Sequence, residues 1–253
     1  MTRRRFYAPP GAFSSRLDSV TLASDEARHL REVLRLKVGD EVYVFDGKGK
    51  EFHCRIEESR RDTARLKVIA EIAPARPESP LAITLAVALL KGEKFDLVVQ
   101  KATELGVVRV VPVVTKLADI RLRDEADAVK RVSRWQRIAL EAAKQSGRAR
   151  VPAVEGPVAF AALVEAATRP EEARVLFAEG GGAPLASLLT TAGGRHTAAV
   201  ALVGPEGGWE DEEVAHAGAY GWHIVTLGGR TLRAETAAIT VCALLQHLYG
   251  DLK

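Results

Sequence analysis

AAVALVGPEGGWEDEEV, residues 198–214, is the stretch around which the rest of this chain organises. Its first six residues are apolar without alternation, the pattern of a strand covered on both faces. Glycine and proline then break the strand, and four successive acidic residues favour the start of a helix. WHIVTLGGRTLRAETAA, residues 222–238, repeats that order of buried strand, glycine turn and helix, and VLFAEGGG, residues 175–182, supplies a third strand ending in glycines. Taken singly, each is an ordinary strand-to-helix turn, with Glu210 and Asp211 simply favouring a helix N-terminus. Three in succession predict one ligand site, because ligands in open α/β sheets collect where strand ends give way to loops and glycine lets a backbone approach closely.

Working outward, LAITLAVALL at 81–90 and VVRVVPVV at 107–114 read as further buried strands. Between them KFDLVVQKATEL places Phe95, Val98, Val99, Ala102 and Leu105 at helical spacing, closed by Gly106. A long helix is predicted from Asp124 to Ser146 with Gly147 as its cap, and another over 234–249. The pattern is α/β with a largely parallel sheet. Upstream the texture changes: Val42 and Val44, then Phe52, Cys54 and Ile56, then Ala64, Leu66 and Val68 alternate as strands, with DGKG as a hairpin turn. With one short helix at about 25–34, the first 72 residues predict a small antiparallel barrel. Pro74, Pro77 and Pro80 form a rigid connection. The expected organisation is therefore a barrel at 1–72, a linker at 73–80 and an α/β domain at 81–253.

The chain has 253 residues, 47% hydrophobic and 27% charged, a balance typical of soluble globular proteins. No apolar run reaches about 18 residues and the basic start lacks a signal peptide's apolar segment, so a cytoplasmic location and no membrane partner are expected. Cys54 and Cys242 have no CxxC or Cys/His spacing and read as buried thiols. His196, His216, His223 and His247 have no partners at metal-ligand spacing, so no metal is expected. The net charge of +3 is uneven: 1–72 carries 15 Lys/Arg against 12 Asp/Glu, and 116–150 carries 10 against 5. Such local basic surface suits a phosphate backbone. Neither GxxxxGK[ST] nor GxGxxG with an acidic residue about 20 positions on is present, which argues against a nucleotide triphosphate site, a dinucleotide enzyme or a Rossmann-type methyltransferase.

GPEGGWEDEEV followed by LGGRTLRAETAA resembles the paired C-terminal motifs of the RsmE-type 16S rRNA uridine N3-methyltransferases of the SPOUT superfamily. RHLREVLRLKVGDEVYVFDGKGKEF, LLKGEKFDLVVQKATELGV and EAAKQSGRARVP extend the resemblance over nearly the whole chain. The resemblance implies a PUA-like β-barrel followed by a SPOUT-type α/β methyltransferase domain with a deep trefoil knot. It also implies S-adenosylmethionine as cofactor, the small-subunit RNA as partner and a homodimer, for which the apolar face of the terminal helix (Ala237, Ala238, Val241, Leu244, Leu245, Leu248) is a candidate, with burial in the core as the equal alternative. The cofactor residues it implies are Phe177, Ala178, Val203, Gly204, Pro205, Glu206, Gly207, Gly208, Leu227, Gly228 and Leu232.

Methylating uracil N3 removes an imide proton and moves a methyl group in line, so positioning and stabilisation of the uracil anion dominate. Arg230 and Arg233 are the candidates for stabilising charge on a carbonyl oxygen. Glu235 or Glu206 would orient an arginine or accept the proton; the alternative for these charges is a salt-bridge network holding the loops. For RNA, the candidates are Arg3, Arg4 and Arg5 beside Phe6 and Tyr7, then His29, Arg31 and Arg35 on the short helix, joined by Arg28. On and around the long helix they are Arg134, Arg137, Lys144 and Arg148, for which a solvated helix face is the alternative. Two other functions stay open: a SPOUT enzyme acting on a tRNA ribose 2′-hydroxyl, and a non-catalytic RNA-binding or ribosome-assembly protein.

Overall fold

The computed structural model describes residues 3–120, 122–167, 169, 171–187 and 196–253. The chain divides into two units, Met1–Glu78 with Leu140–Val151, and Ser79–Ala139 with Pro152–Lys253. Leu140–Val151 thus belongs with the N-terminal unit although it follows the proline-rich stretch in sequence.

In the N-terminal unit, strands β1 (Arg5–Tyr7), β2 (Ser19–Leu22), β3 (Glu41–Phe45), β4 (Glu51–Ser59) and β5 (Ala64–Ile72) form one sheet in the order β1-β3-β4-β5-β2. Alternation is the reason for its one-sided core: Val42, Val44, Phe52, Cys54, Ile56, Ala64 and Leu66 pack inward with Phe6, Val20, Leu22 and Leu30. The sheet is a half-barrel of mixed direction, not the purely antiparallel one that alternation predicts. β1 runs parallel to β3, because β2 and a helix intervene and give the chain enough length for a crossover. Asp46 shapes the DGKG turn by accepting the amides of Lys48 at 2.7 Å and Lys50 at 3.0 Å. The expected helix at 25–34 begins as α1 (Ser24–Arg28) and widens into a single π turn over His29–Val33.

In the second unit, β6 (Ala82–Ala88), β7 (Arg109–Val114), β8 (Ala153–Val154), β10 (Glu172–Phe177), β11 (Ala183–Pro184), β12 (Ala198–Val203) and β13 (His223–Thr226) are ordered β11-β13-β10-β12-β6-β7-β8, with β9 (Val158–Ala159) also on β7. Every pairing in this sheet is parallel. That explains the unbroken apolar runs, since both faces are covered by helices. Those helices are α2 (Lys94–Glu104), the first part of α3 (Glu125–Ser146), α4 (Phe160–Val164), α5 (Asp211–Ala219) and α6 (Ala234–Tyr249). α2 buries the expected Phe95, Val98, Val99 and Ala102. α6 returns from the end of β13 to pack on α2, β12 and β6. There the buried Gln246 donates to the Leu105 carbonyl at 3.0 Å and accepts from the Ser79 hydroxyl at 2.6 Å.

Strand register places the site. Phe177 pairs with Val203 on one side and Val225 on the other, so β10, β12 and β13 end level and their three glycine-bearing loops leave the sheet together. The first loop lies directly on β13: a Cβ at Gly182 would stand 2.6 Å from the Val225 carbonyl carbon. Among the described residues no helix is long and apolar enough to cross a membrane.

Candidate active site

Above those strand ends lies a cavity of about 360 Å³ lined by Phe177, Ala178 and Glu179 from the first loop, Val203–Trp209 without Gly207 from the second, and Thr226–Ala234 without Gly229 from the third, with Lys94 and Ala237. All the residues expected to hold a cofactor are at its wall except Gly207. That glycine faces the other way, where an added Cβ would meet the Leu117 carbonyl oxygen at 3.0 Å and its Cβ at 3.1 Å.

The second loop is a tight turn: the Gly208 amide donates to the Pro205 carbonyl at 3.0 Å, and Gly208 sits at φ +76°, where a side chain is strained. Behind the turn the expected helix start is a capping box, in which the Glu210 side chain accepts from the Glu213 backbone and the Glu213 side chain accepts from the Glu210 amide. Lys116 brackets it from the end of β7, its ammonium 2.9 Å from Glu210 and 2.7 Å from Glu212. In the third loop Gly228 and Gly229 both take positive φ, +69° and +73°. The Gly228 amide donates to the Thr226 hydroxyl at 3.3 Å, which donates to the Glu179 carbonyl at 3.3 Å.

Trp209 escaped the sequence reading and is central to the geometry. Its indole N–H donates to the Phe177 carbonyl at 2.9 Å, so that carbonyl is engaged by protein, while the Ala178 amide donates to Val225 at 2.9 Å. The ring lies so close to Gly204 that an added Cβ would stand 2.9 Å from Cε2 and 3.1 Å from Nε1. Gly204 is small because Trp209 needs the room.

Charge at the cavity wall is carried by Lys94, Arg230, Arg233, Glu179 and Glu206. Arg230 and Arg233 are exposed, and neither side chain is engaged in an ion pair among the described residues. The expected catalytic group divides at Glu235. Ala234 and Ala237, three residues apart, turn one face of α6 to the cavity, just after the extended N-cap Arg233, and Glu235, about 100° round the helix from Ala234, points elsewhere. Accordingly Glu235 is absent from the cavity wall, half-buried, with its Oε2 buried and without a hydrogen-bond partner among the described residues. Glu206 does line the cavity but is a poor proton acceptor. Burial by itself raises its pKa, and the hydrogen bond from Lys94, the amides of Glu206 and Lys91 and the Lys94 charge outweigh burial and hold it below the ordinary carboxylate value.

The basic candidates separate into inward and outward groups. In the N-terminal unit Arg3 and Arg5 both reach Glu51, at 3.1 Å each, and Glu51 is completely buried. Arg5 also donates to the carbonyls of Lys144 and Arg148. Arg148 is buried against Glu78, with Nε to Oε1 at 3.1 Å, and Lys144 pairs with Glu26 at 2.7 Å. Arg5 and Arg148, expected on an RNA surface, are placed as internal ties whose guanidinium groups bond within the unit. Arg31 binds the carbonyls of Arg60 and Arg61 and the Glu32 carboxylate, and His29 packs edge-on against Phe6. Arg4, Arg28 and Arg35 are exposed. In the second unit Arg134 pairs with Asp96, whose other oxygen takes the Trp135 indole N–H at 3.0 Å, and Arg137 is exposed. Among the described residues no group of three or more His, Cys, Asp or Glu is arranged to hold a metal ion.

Residues 77–246 match the family of RNA methyltransferase domains, and residues 22–69 match the RNA methyltransferase PUA domain. A ribosomal RNA small subunit methyltransferase E of Synechocystis is 34% identical over 230 residues, which are 91% of this chain and 73% of that protein. The Bacillus subtilis protein of the same name is 29% identical over 238 residues, 91% of this chain and 92% of its own. The fold matches the crystal structure of a ribosomal RNA small subunit methyltransferase E from Neisseria gonorrhoeae bound to S-adenosyl methionine, with a TM-score of 0.84, 33% identity and 100% of both chains covered. It also matches a Legionella pneumophila methyltransferase in complex with the same cofactor, with a TM-score of 0.86, 29% identity and 100% of both chains covered. With its PUA half-barrel, its parallel α/β unit and its glycine-walled cavity, this chain belongs to the ribosomal RNA small subunit methyltransferase E family of RNA methyltransferases.

Proposed function

We propose that this protein binds S-adenosylmethionine in the cavity above β10, β12 and β13 and transfers its methyl group to N3 of a uridine in the 16S RNA of the small ribosomal subunit. The carrying observation is that three glycine-bearing loops leave the sheet level with one another and enclose a single cavity, with two exposed arginines at its wall. The loops offer backbone amides and carbonyls suited to an uncharged adenosine moiety. The bound cofactor would supply an electrophilic methyl group. The chain's own part is to hold that group in line with the uracil nitrogen and to stabilise the anion left when the imide proton departs. Arg230 and Arg233 do this by placing positive charge beside the uracil carbonyl oxygens. Glu206, held ionised by Lys94, orients the cofactor turn and does not take the proton; Glu235, in the first turn of α6 and off the cavity wall, complements the helix dipole away from the reacting atoms.

The N-terminal unit, with the exposed Arg4, Arg28 and Arg35 and the half-buried His29, Arg31 and Arg3, supplies phosphate contacts, and the exposed Arg137 adds to them from the second unit. Arg134 contributes only after exchange of its Asp96 partner. The trefoil knot belongs to this reading. Its support is the return of α6 from β13, second from one end of the sheet, to β12 and β6; the connection it would thread includes 188–195, outside the described residues. A cytoplasmic homodimer completes it. Ala238, Val241 and Leu245 are buried in the unit itself and Ala237 lines the cavity, which leaves the half-buried Leu244 and Leu248 for a partner.

The test is incubation with methyl-labelled S-adenosylmethionine and unmodified small-subunit RNA, naked and as assembled subunits, followed by mass mapping of nucleosides. Label in N3-methyluridine is expected. Label in a ribose 2′-O-methyl nucleoside would replace the base-methylation reading, and absence of cofactor binding by calorimetry would replace catalysis with RNA binding alone. Sedimentation showing only monomer at micromolar concentration would remove the dimer.

A further inference from the structure

We infer that Lys94, which belongs to none of the glycine-rich loops, is a positioning residue for cofactor binding: its ammonium fixes the Glu206 carboxylate and, through it, the 205–208 turn. The inference rests on the S-adenosylmethionine reading of the cavity. Lys94 begins α2, where the helix dipole disfavours a cation unless an anion accompanies it. Glu206 is that anion. Its Oε1 accepts from the Lys94 ammonium at 2.9 Å and from the Lys91 amide at 3.3 Å. The Lys91 ammonium is engaged elsewhere, with Asp119 at 2.6 Å. Glu206 Oε2 is buried without a hydrogen-bond partner among the described residues, so the carboxylate is held through one oxygen, and chiefly by Lys94.

Glu206 and Gly207 are the central residues of the turn closed by Gly208 onto Pro205. Gly207 lies beside Leu117, where a Cβ would stand 3.0 Å from the Leu117 carbonyl oxygen. The turn is thus anchored at Glu206, and that anchor sets the plane of its peptide groups at the cavity wall. Without Lys94, a mostly buried carboxylate keeps only amide donors, those of Lys91 and of its own residue, and no countercharge, and a charge in that state either swings out to water, dragging the turn, or takes up a proton.

The test is calorimetric titration of the full-length protein with S-adenosylmethionine and S-adenosylhomocysteine, using wild type, Lys94→Met, Lys94→Arg, Glu206→Gln and the Lys94→Met/Glu206→Gln double variant. Lys94→Met is expected to weaken both ligands about tenfold, the scale of one charge-assisted hydrogen bond. Lys94→Arg should restore most of that loss. In the Glu206→Gln background Lys94→Met should add little, since the residue acts through Glu206. Turnover at saturating cofactor should change less than about twofold, with the loss in KM. Hydrogen exchange of amides 204–209 in the cofactor-free protein should be faster in Lys94→Met while the strands stay protected. Wild-type affinity in Lys94→Met, or losses that add fully in the double variant, would overturn the inference while leaving the cavity's cofactor intact. Wild-type protein that binds neither ligand would overturn the reading of the cavity and this inference with it.

Discussion

Gly204→Ala isolates the packing that shapes the cofactor cavity. Gly204 does not have a positive φ, so alanine suits its backbone and by chain entropy alone would stabilise the fold by about 0.4–1 kcal/mol. The opposing effect is steric. The new Cβ would stand 2.9 Å from Trp209 Cε2 and 3.1 Å from Nε1, and the indole cannot retreat without loosening its 2.9 Å hydrogen bond to the Phe177 carbonyl. Overpacking of a tight contact costs about 1–3 kcal/mol, and a carbonyl left without its donor costs about 1–3 kcal/mol more where water cannot replace it. Partial relaxation of the ring avoids part of each, so the net destabilisation expected is about 2 kcal/mol after the entropic gain. Urea unfolding of the cofactor-free protein measures it. Trp209→Phe is the control: it deletes the N–H, keeps most of the ring and should cost about 1 kcal/mol. Combined with Gly204→Ala, it should give less than the sum, because both act on one contact. If Gly204→Ala is as stable as wild type or more so, Trp209 does not set the size of residue 204 and the account of this wall is wrong.

Arg230→Ala and Arg233→Ala should each lower kcat on RNA by about 10²-fold, the scale of removing one donor from a developing anion, with little change in cofactor affinity; wild-type turnover in both removes the electrostatic proposal. Glu51→Ala leaves Arg3 and Arg5 without their buried carboxylate and the Ala75 amide without its acceptor. Denaturant unfolding of the N-terminal unit should show a loss of about 3–5 kcal/mol. For Glu206, a folded pKa below its ordinary 4.5 means stabilisation that is present above that value and lost as pH falls through the depressed folded value. The stability gap between wild type and Glu206→Gln, measured by urea titration at several pH values, should therefore narrow below about pH 4.5. Cys54 and Cys242, whose pKa burial pushes up to about 12, should not react with an aromatic disulfide reagent at pH 8 until the protein unfolds.

Features encoded locally were legible, and features created by folding were not. The strand ending at Val203, the helices from Lys94 and Ala234 and the turn glycines carry their signals within a few neighbouring residues: apolar runs, helical spacing, glycine after a strand. The parallel pairing of β1 with β3 is not local, because three residues at one edge of a half-barrel read the same in either direction. Lys94 is likewise invisible as a site residue. Nothing near it marks a cavity, and its partner Glu206 is reached only when β6 pairs with β12. Arg5 and Arg148 show the reverse error. A basic residue beside aromatics, or within a basic run, suggests RNA as long as the buried Glu51 and the half-buried Glu78, far off in sequence, are unseen. Charge counts identify basic segments but not which guanidinium groups are already paired.

That distinction bears on how the cavity divides its work. Of its three cations, Lys94 is paired and the two arginines are free of ion pairs among the described residues. A paired cation contributes rigidity: its charge is neutralised locally and its effect is transmitted through the turn it anchors. An unpaired cation on an exposed glycine-rich loop contributes field, and retains it only until something anionic arrives. S-adenosylmethionine carries its own positive sulfonium, so unpaired arginines at the same wall gain nothing from the cofactor's reacting end. They gain from an anion approaching from the open side, first the RNA phosphates and then the deprotonated uracil. The arrangement thus favours the order in which the glycine turns bind cofactor first and the arginines are satisfied last. Cofactor affinity should then be insensitive to ionic strength, while RNA binding falls steeply with added salt. Equal salt slopes for the two ligands would mean that the arginines serve the cofactor, and the division between turn and loop would have to be redrawn.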